Sequence, residues 1–260
     1  MSVVYDCPAC GVTVEAGDVE GFGYAYLVHV RSDHADWPYP DLAVRNYGEA
    51  LNRLTGSTAR LAAIGDVEVH PVTEDRIDDW LAFFDHDAFA GKPEWAACYC
   101  SEPHLLARGT PPDQAEHHHW TERRQIMVDL LRTGRSFGYV AYVDGRPAGW
   151  VNASRRSEQA LYCLGERADV ADEAVAAVSC FAIAPPYRRH GLAGRLLDAV
   201  VAGAPAQGVE WIEAYPFHEG VSEEGGTNFH GDRSLFEQRD FEPVKELTHY
   251  TVMRRAVPRP

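Results

Sequence analysis

Two pairs of metal-binding residue types stand near the start of the chain. Cys7 and Cys10 are separated by two residues and His29 and His34 by four, so the spacing is Cys-x2-Cys-x18-His-x4-His. Both local spacings fit tetrahedral zinc sites, although the central gap is longer than in nucleic-acid-reading fingers. We therefore predict a structural zinc ion held by Cys7, Cys10, His29 and His34. The alternative is two free thiols and two surface histidines.

A second group of chemically interesting residues surrounds position 190. The apolar run Val178–Ile183 is typical of a strand, and it leads into the loop Arg188-Arg-His-Gly-Leu-Ala-Gly194 and a helical stripe through Leu196 and Val200. This order aims free backbone N–H groups and the positive helix end at one point, which suits a phosphate or pyrophosphate. A plain strand-to-helix turn, or a dinucleotide-binding unit lacking its first Gly-x-Gly, fits the same residues.

The residues around this loop resemble those of a known family. Tyr187-Arg-Arg-His-Gly-Leu-Ala-Gly-Arg-Leu-Leu197 is similar to the Arg/Gln-x-x-Gly-x-Gly/Ala motif of the GNAT acyltransferase superfamily. Leu235-Phe-Glu-Gln-Arg-Asp-Phe241 resembles that superfamily's later helix, with Asp240 in place of the usual glycine. The resemblance extends over about residues 67–254 in its order of elements. It implies an α/β fold, a GNAT-type mixed sheet with flanking helices, and the Cys/His spacing adds a small zinc-binding domain before it.

The resemblance also implies a co-substrate and its site. Acetyl-CoA, or another acyl-CoA, would be the donor, with its pantetheine arm along the strand that ends at Ala182, Ile183 and Ala184. The residues that would hold the pyrophosphate are Arg188, Arg189, His190, Gly191, Leu192, Ala193 and Gly194. Arg189 and His190 depart from the more usual Gly and Arg. Phe236 stands where the family frequently has a tyrosine that protonates the leaving thiolate.

Acylation of an amine needs a proton acceptor, because the amine is protonated at neutral pH. Backbone N–H groups beside the strand can stabilise the developing oxyanion. Glu213 and Tyr215, near the end of the strand predicted after the loop helix, are the candidate base and acid. The alternative is that Glu213 is a surface charge and Tyr215 a packing ring.

Three segments must position these residues. Residues 1–56 form the predicted zinc-finger-like domain, with a strand through Phe22, Tyr24, Tyr26 and Val28 and a helix after Asp41. Residues 57–66 are a connector, and residues 67–254 form the acyltransferase domain. A block of about fifty residues rarely buries enough apolar area to hold itself together, so a metal supplies a needed staple.

The predicted elements at the start of the larger domain follow the order strand, helix, helix, strand, strand. Val67–Val69 predicts a strand, and Thr73 caps a helix whose apolar stripe reaches Phe84. Residues 85–112 look irregular, and a capping box at Asp113 begins a helix that runs to Arg132 and stops at Gly134. Asp144-Gly145 between two apolar runs predicts a hairpin.

The composition narrows the partners. With a formal net charge of −15, the chain lacks the basic surface that nucleic-acid binding needs. The same charge would attract a cationic substrate such as an amine. No apolar stretch approaches the length of a membrane span, and the first residues do not look like a signal peptide, so we expect a cytoplasmic protein without membrane contact. The six cysteines are then thiols or metal ligands. Those of Cys98-Tyr-Cys100 are expected to be buried near the acceptor pocket.

Three functions remain open at this point. The first is an N-acetyltransferase that acylates a small-molecule amine. The second is a catalytically inactive acyltransferase scaffold that acts as a zinc-containing interaction module, which the residue Phe236 motivates. The third is a nicotinamide-dependent oxidoreductase. The zinc segment would cover the substrate cleft, pack on the larger domain or make the contact of a homodimer.

Overall fold

The computed structural model describes residues 3–7, 10–17, 25–26, 28–29, 32–34, 63–89, 98–107, 120–159, 170–218 and 229–258. The strands of these ranges are β1 (Val3–Asp6), β2 (Thr13–Ala16), β3 (Val67–Pro71), β4 (Tyr139–Val143), β5 (Arg146–Arg155), β6 (Val175–Ile183), β7 (Trp211–Ala214), β8 (Glu242–Glu246) and β9 (Thr251–Ala256). The α-helices that have defined bounds are α1 (Ile77–Ala82), α2 (Glu102–Ala107), α3 (Trp120–Arg132), α4 (Leu192–Gly203) and α5 (Arg233–Glu237).

Seven of the described strands form one sheet in the order β3-β4-β5-β6-β7-β9-β8. Neighbouring strands are antiparallel except for β6 and β7, which are parallel. The predicted hairpin is confirmed as β4 and β5. Asp144 and Gly145 have φ of 50° and 79°, which are the positive angles that a two-residue turn between twisted strands requires. The expectation of a mixed sheet with flanking helices is confirmed.

The helices cover both faces of this sheet, because each face presents apolar side chains. On one face, the cluster around Trp80 of α1 and Met127 of α3 packs on Trp150 of β5. On the other face, Leu196 of α4 and Phe236 of α5 belong to a cluster with strand residues from the same sheet. These five side chains are fully buried.

The helices differ from their predicted forms at several ends. A 3₁₀ turn at Glu74–Arg76 precedes α1, and a π-helical turn at Phe83–Asp87 follows it. Thr73 stands at the N-cap without a capping hydrogen bond, and its hydroxyl donates to the Asp75 carboxylate instead (2.5 Å).

Helix α2 lies inside residues 85–112, so the prediction that this whole segment is irregular is wrong. The end of α3 before Gly134, whose φ is 67°, is confirmed. Its predicted start at Asp113 lies outside the described residues.

The start of the chain combines a hairpin with helical residues. β1 and β2 pair antiparallel around the turn that carries Cys7 and Cys10. Residues 25–26, 28–29 and 32–33 are helical, so the predicted strand through Tyr26 and Val28 is wrong. The helical spacing places residues 29 and 33 on one side, and this side contributes to the site described below. The helix predicted after Asp41 lies outside the described residues.

None of the described helices has the length and apolar character needed to cross a membrane. The longest of those with defined bounds is α3, with 13 residues.

Candidate functional site

The parallel strands β6 and β7 separate partway along their length. Their last pair is Val178 with Ala214, whereas β6 continues to Ile183 alongside β5. The register of β5 and β6 shifts between Asn152 and Ala153, which leaves Ser179 as an extra residue in β6. An extra residue of this kind bends a strand and increases its twist. The result is a split in the sheet whose edge is the second half of β6.

A cleft of about 1030 Å³ opens at this split. Its lining consists of Phe181 and Ile183 from β6, residues 187–189 and 191–194 from the loop and the first turn of α4, and residues 217–218, 229, 231–235 and 237–239 from the facing wall. The backbone N–H of Phe181 points into this region, where it donates to the carbonyl oxygen of Phe229 (2.6 Å).

The loop before α4 has the backbone that an anion site requires. Gly191 is the N-cap of α4 with φ of 80°, and a side chain at this position would enter open space. Arg189 also has a positive φ, of 68°. The first intrahelical bond of α4 runs from Arg195 N to Gly191 O (3.2 Å), and the N–H groups before it lack an intrahelical acceptor by position. Free N–H groups and the positive helix end therefore meet at the cleft.

Four arginines line the cleft, and they are not equivalent. Arg233 pairs with Glu237, and Arg239 pairs with Asp198 at 2.6 Å. Arg188 donates from Nε to the carbonyl oxygen of Ile183 (2.9 Å), and burial lowers its pKa. Among the described residues, neither Arg188 nor Arg189 has a carboxylate partner. In a chain of net charge −15, two uncompensated guanidinium groups favour an anionic ligand at this end of the cleft.

The predicted donor-site residues fall into two groups. Ile183, the two arginines of the loop and residues 191–194 line the cleft, whereas Ala182, Ala184 and His190 do not. The side chains of Ala182 and Ala184 are buried in the core on the other face. The facing wall of the cleft, residues 217–218, 229, 231–235 and 237–239, is not among the predicted site residues. In the sequence, the similarity of residues 235–241 to the family's later helix is what points to this wall.

Glu213 and Tyr215 belong to a buried ion-pair network. The Glu213 carboxylate accepts from Arg156 Nη1 at 2.9 Å and from Arg254 Nε at 2.8 Å, and the Tyr215 hydroxyl donates to it at 2.9 Å. Glu213 and Tyr215 are each 0% exposed, and neither lines the cleft. A surface charge at Glu213 is thus excluded, while the base and acid roles of the two residues stay predictions.

The four predicted metal ligands converge in the structure. The two Sγ atoms of Cys7 and Cys10 and the ring nitrogens of His29 and His34 lie within 4.8 Å of one another. Cys7 Sγ is 3.5 Å from His34 Nε2, and Cys10 Sγ is 3.3 Å from His29 Nε2. The backbone turn is closed by the hydrogen bond from Gly11 N to Cys7 O (2.7 Å).

The donor set and its surroundings fit zinc. Two thiolates and two imidazoles make a closed tetrahedral set, which is the composition of structural zinc sites. His29 Nδ1 lies 2.6 Å from the Asp33 carboxylate, which leaves Nε2 free to face the thiol of Cys10. A carboxylate on the far nitrogen of a ligating histidine is the usual way in which proteins fix the ring and its tautomer.

Fold and cleft together define a mixed α/β domain with a cleft at a split in its sheet. Residues 99–220 match the model of the acetyltransferase (GNAT) family. The chain contains a GNAT acetyltransferase domain, as the motif around Gly191 predicted. No curated protein sequence matches the chain.

Solved structures resemble the chain at low identity. A GNAT-family acetyltransferase from Desulfovibrio desulfuricans has 16% identity and a TM-score of 0.42, covering 74% of this chain and 100% of its own. An N-acetyltransferase from Staphylococcus aureus Mu50 has 12% identity and a TM-score of 0.45, covering 75% and 100%. A PaiA N-acetyltransferase from Thermoplasma acidophilum, in complex with coenzyme A, has 11% identity and a TM-score of 0.45, covering 74% and 99%. Similarity at this level carries no argument about substrate or mechanism.

Proposed function

We propose that the protein transfers an acetyl group from acetyl-CoA to the amine of a small molecule. The observation that carries this proposal is the cleft at the split between β6 and β7, with the loop of Gly191 at one end and two arginines there that have no carboxylate partner among the described residues. Acetyl-CoA combines a pyrophosphate with a long arm that carries amide groups. The cleft offers a site for an anion and, beside it, the stretch of β6 beyond Val178 that no longer pairs with β7.

The proposed donor pose follows from these parts. The pyrophosphate lies at the start of α4, held by the N–H groups of residues 191–194 and the charges of Arg188 and Arg189. The pantetheine arm runs along the second half of β6, next to the backbone of Ala182, Ile183 and Ala184. In this pose the arm displaces Phe229 from the N–H of Phe181, and that N–H then stabilises the oxyanion of the thioester carbonyl.

The proton transfers need groups at the cleft, since a base must come within hydrogen-bond reach of the amine. His218 is an imidazole that lines the cleft, and its Nε2 lies 3.0 Å from the Glu246 carboxylate. We add His218 to the predicted candidates Glu213 and Tyr215 as a base that acts directly or through water. The departing thiolate needs little help, because the unperturbed pKa of a thiol is about 8.5.

We propose that zinc, where bound, has a structural role in the protein. Cys7, Cys10, His29 and His34 would use all four tetrahedral positions, so the ion would have no open site for a substrate. The metal would supply folding free energy to the first residues of the chain.

Three further features stay predictions. They are a homodimer, a cytoplasmic location, and a division of the chain into residues 1–56, 57–66 and 67–254.

A screen of amine acceptors tests the proposed reaction. The purified protein is mixed with acetyl-CoA and a panel of primary amines, and the coenzyme A thiol released is measured against reactions without amine. We expect thiol release that depends on at least one amine, together with an acetylated product in the mass spectrum. Thiol release at the same rate without any amine would contradict amine transfer.

The second candidate function is an inactive scaffold, and Phe236 is the observation that favours it. Its ring is 0% exposed and packs near Phe181 and Phe241, with ring centroids 6.2 Å and 5.6 Å apart. This position beside the cleft therefore offers no hydroxyl proton. Binding of acetyl-CoA without turnover of any amine in a broad panel would favour the scaffold.

A further inference from the structure

The thiols of Cys100 and Cys180 are in direct contact although 80 positions separate them in sequence. Cys100 Sγ lies 2.8 Å from Cys180 Sγ. A disulfide bond requires an approach to about 2.0 Å. The two sulfur atoms are therefore already placed for bond formation, with a remaining movement of roughly 1 Å or less.

The backbone around Cys100 holds this contact in place. Tyr99 and Cys100 both have positive φ, of 49° and 52°, a conformation that is rare for non-glycine residues and tends to occur at functional sites. The carbonyl oxygen of Cys100 accepts from Asn152 Nδ2 (3.1 Å). Asn152 is the residue of β5 that pairs with Cys180 of β6. One buried amide thus fixes the Cys100 turn opposite the strand position of Cys180.

The two sulfur atoms differ in their surroundings. Cys100 is 2% exposed, and burial raises the pKa of its thiol well above the usual value, with the adjacent Cys180 thiol adding to the effect. A protonated, buried thiol reacts slowly with oxidants. Cys180 is partly exposed and packs beside the cluster that contains Ala182 and Ala184, on the face of the sheet away from the cleft. An oxidant therefore reaches Cys180 first.

We infer that Cys100 and Cys180 are a modification site, a thiol pair that peroxide converts into a reversible disulfide. In the first step the Cys180 thiolate attacks hydrogen peroxide, which gives a sulfenic acid and hydroxide. In the second step the sulfur of Cys100 attacks the Cys180 sulfur and water leaves. Overall, two thiols are oxidised and one peroxide is reduced to two molecules of water. The bond ties the turn before α2 to β6 beside the cleft, and it does not depend on the acyl-transfer chemistry.

Cys98 is the natural competitor, because it is only two positions from Cys100. Desolvation raises its pKa to about 11, and the charge of Glu102 adds to the increase. The sulfur in contact with Cys180 Sγ is that of Cys100, at 2.8 Å. We therefore do not expect Cys98 to supply the second sulfur. The serine variant Cys98→Ser is therefore a matched control for Cys100→Ser.

The test is a peptide map of the full-length protein before and after peroxide. Reduced protein is treated with hydrogen peroxide, the remaining thiols are alkylated, and the chain is digested without reductant by trypsin and chymotrypsin together. Cleavage after Tyr99 separates Cys98 from Cys100, and cleavage after Arg167 separates Cys163 from Cys180. Each cysteine outside the amino-terminal cluster is then read individually by mass spectrometry.

We expect a linked peptide that contains Cys100 and Cys180, the loss of alkylation at both residues, and full recovery of alkylation after reduction with dithiothreitol. Cys98→Ser should retain this linked peptide. Cys100→Ser should lose it, and Cys180 should go on to the sulfinic acid because the second thiol is missing. Alkylation of both Cys100 and Cys180 after peroxide, or a linked peptide that joins Cys180 to Cys98 or Cys163, would overturn the inference. The map of the parent protein decides the question even where a variant fails to fold.

Discussion

The left-handed backbone of Gly191 matters for binding rather than for folding alone. Apart from the chain neighbours, no atom of the described residues lies within 4 Å of the place where a Cβ at residue 191 would stand. Gly191 lines the cleft, and the proposed pyrophosphate occupies the space beside it. We expect Gly191→Val to weaken acetyl-CoA binding by roughly 100-fold or more, which corresponds to about 2.7 kcal/mol. Isothermal titration calorimetry with acetyl-CoA measures this change.

Gly208 provides the matched control for Gly191. It also has a positive φ, of 65°, with nothing near the position of its missing Cβ, and it does not line the cleft. Gly208→Val should therefore lower the melting temperature through the same backbone strain, while the affinity for acetyl-CoA is unchanged. Equal affinity in Gly191→Val and the parent would show that the loop is not the donor site.

Tyr215 illustrates how a structural contact changes the expectation for a candidate acid. Its hydroxyl donates to Glu213, and both residues are fully buried, so the hydroxyl is engaged before any substrate binds. We expect Tyr215→Phe to lower the free energy of unfolding by about 1 kcal/mol and to leave kcat near that of the parent. Urea unfolding and steady-state kinetics measure the two quantities separately.

A different result would support the acid role of Tyr215. Removal of a positioned general acid lowers kcat by about 10²–10⁴-fold. A loss of that size, with an unchanged dissociation constant for acetyl-CoA, would establish Tyr215 as the proton donor and exclude the water route.

The metal cluster is built by two separate elements, the β1–β2 turn and the helical residues that follow it. Because zinc would link the two, we expect one equivalent of zinc in the purified protein and none in Cys7→Ser or His34→Ala. Asp33→Asn should keep the ion but bind it about 10–100-fold more weakly, as is typical when the partner of a ligating histidine is changed. Metal analysis and competition with a zinc chelator measure these effects.

The control for the zinc experiment is Cys98→Ser, which changes a thiol outside the cluster and should retain the full equivalent of metal. Loss of the ion should unfold the start of the chain and leave the seven-stranded sheet folded. Freshly purified parent protein without zinc would contradict the assignment of the four ligands.

At the level of elements, the sequence predicts best where the pattern is local. The Asp144-Gly145 turn and the apolar runs beside it indicate β4 and β5 directly, and the glycine loop indicates the junction of β6 and α4. The Cys/His spacing also indicates which four side chains converge near the start of the chain. The pattern around Tyr26 predicts a strand whereas these residues are helical, because a short run of alternating apolar residues fits either structure.

The parts of the site that sequence reasoning missed depend on tertiary contacts. The wall opposite the loop comes from residues near 217 and 231–239, which no local pattern connects to Gly191. The contact between Cys100 and Cys180 and the ion pairs of Glu213 with Arg156 and Arg254 likewise join distant positions. Periodicity and local spacing do not indicate that these particular side chains meet.

At the scale of the whole molecule, the distribution of charge and the pairing of the strands support the proposed acetyl transfer over the oxidoreductase alternative. The chain is strongly acidic overall, yet two arginines of the cleft have no acidic partner in the part of the chain that the structure describes, which favours an anionic co-substrate at the loop. The acidic surface favours approach of a cationic amine by long-range attraction. In the described sheet, parallel pairing is limited to β6 and β7, so the repeated parallel units of a dinucleotide-binding domain are not present there.

The measurement that tests this account most directly is a calorimetric titration of the parent protein with acetyl-CoA and, in parallel, with NAD. We predict saturable binding of one acetyl-CoA per chain, weakened by added salt because the contacts to the pyrophosphate are electrostatic, and no binding of NAD. Binding of NAD without binding of acetyl-CoA, or no binding of either, would contradict the assignment of the cleft to an acyl-CoA donor.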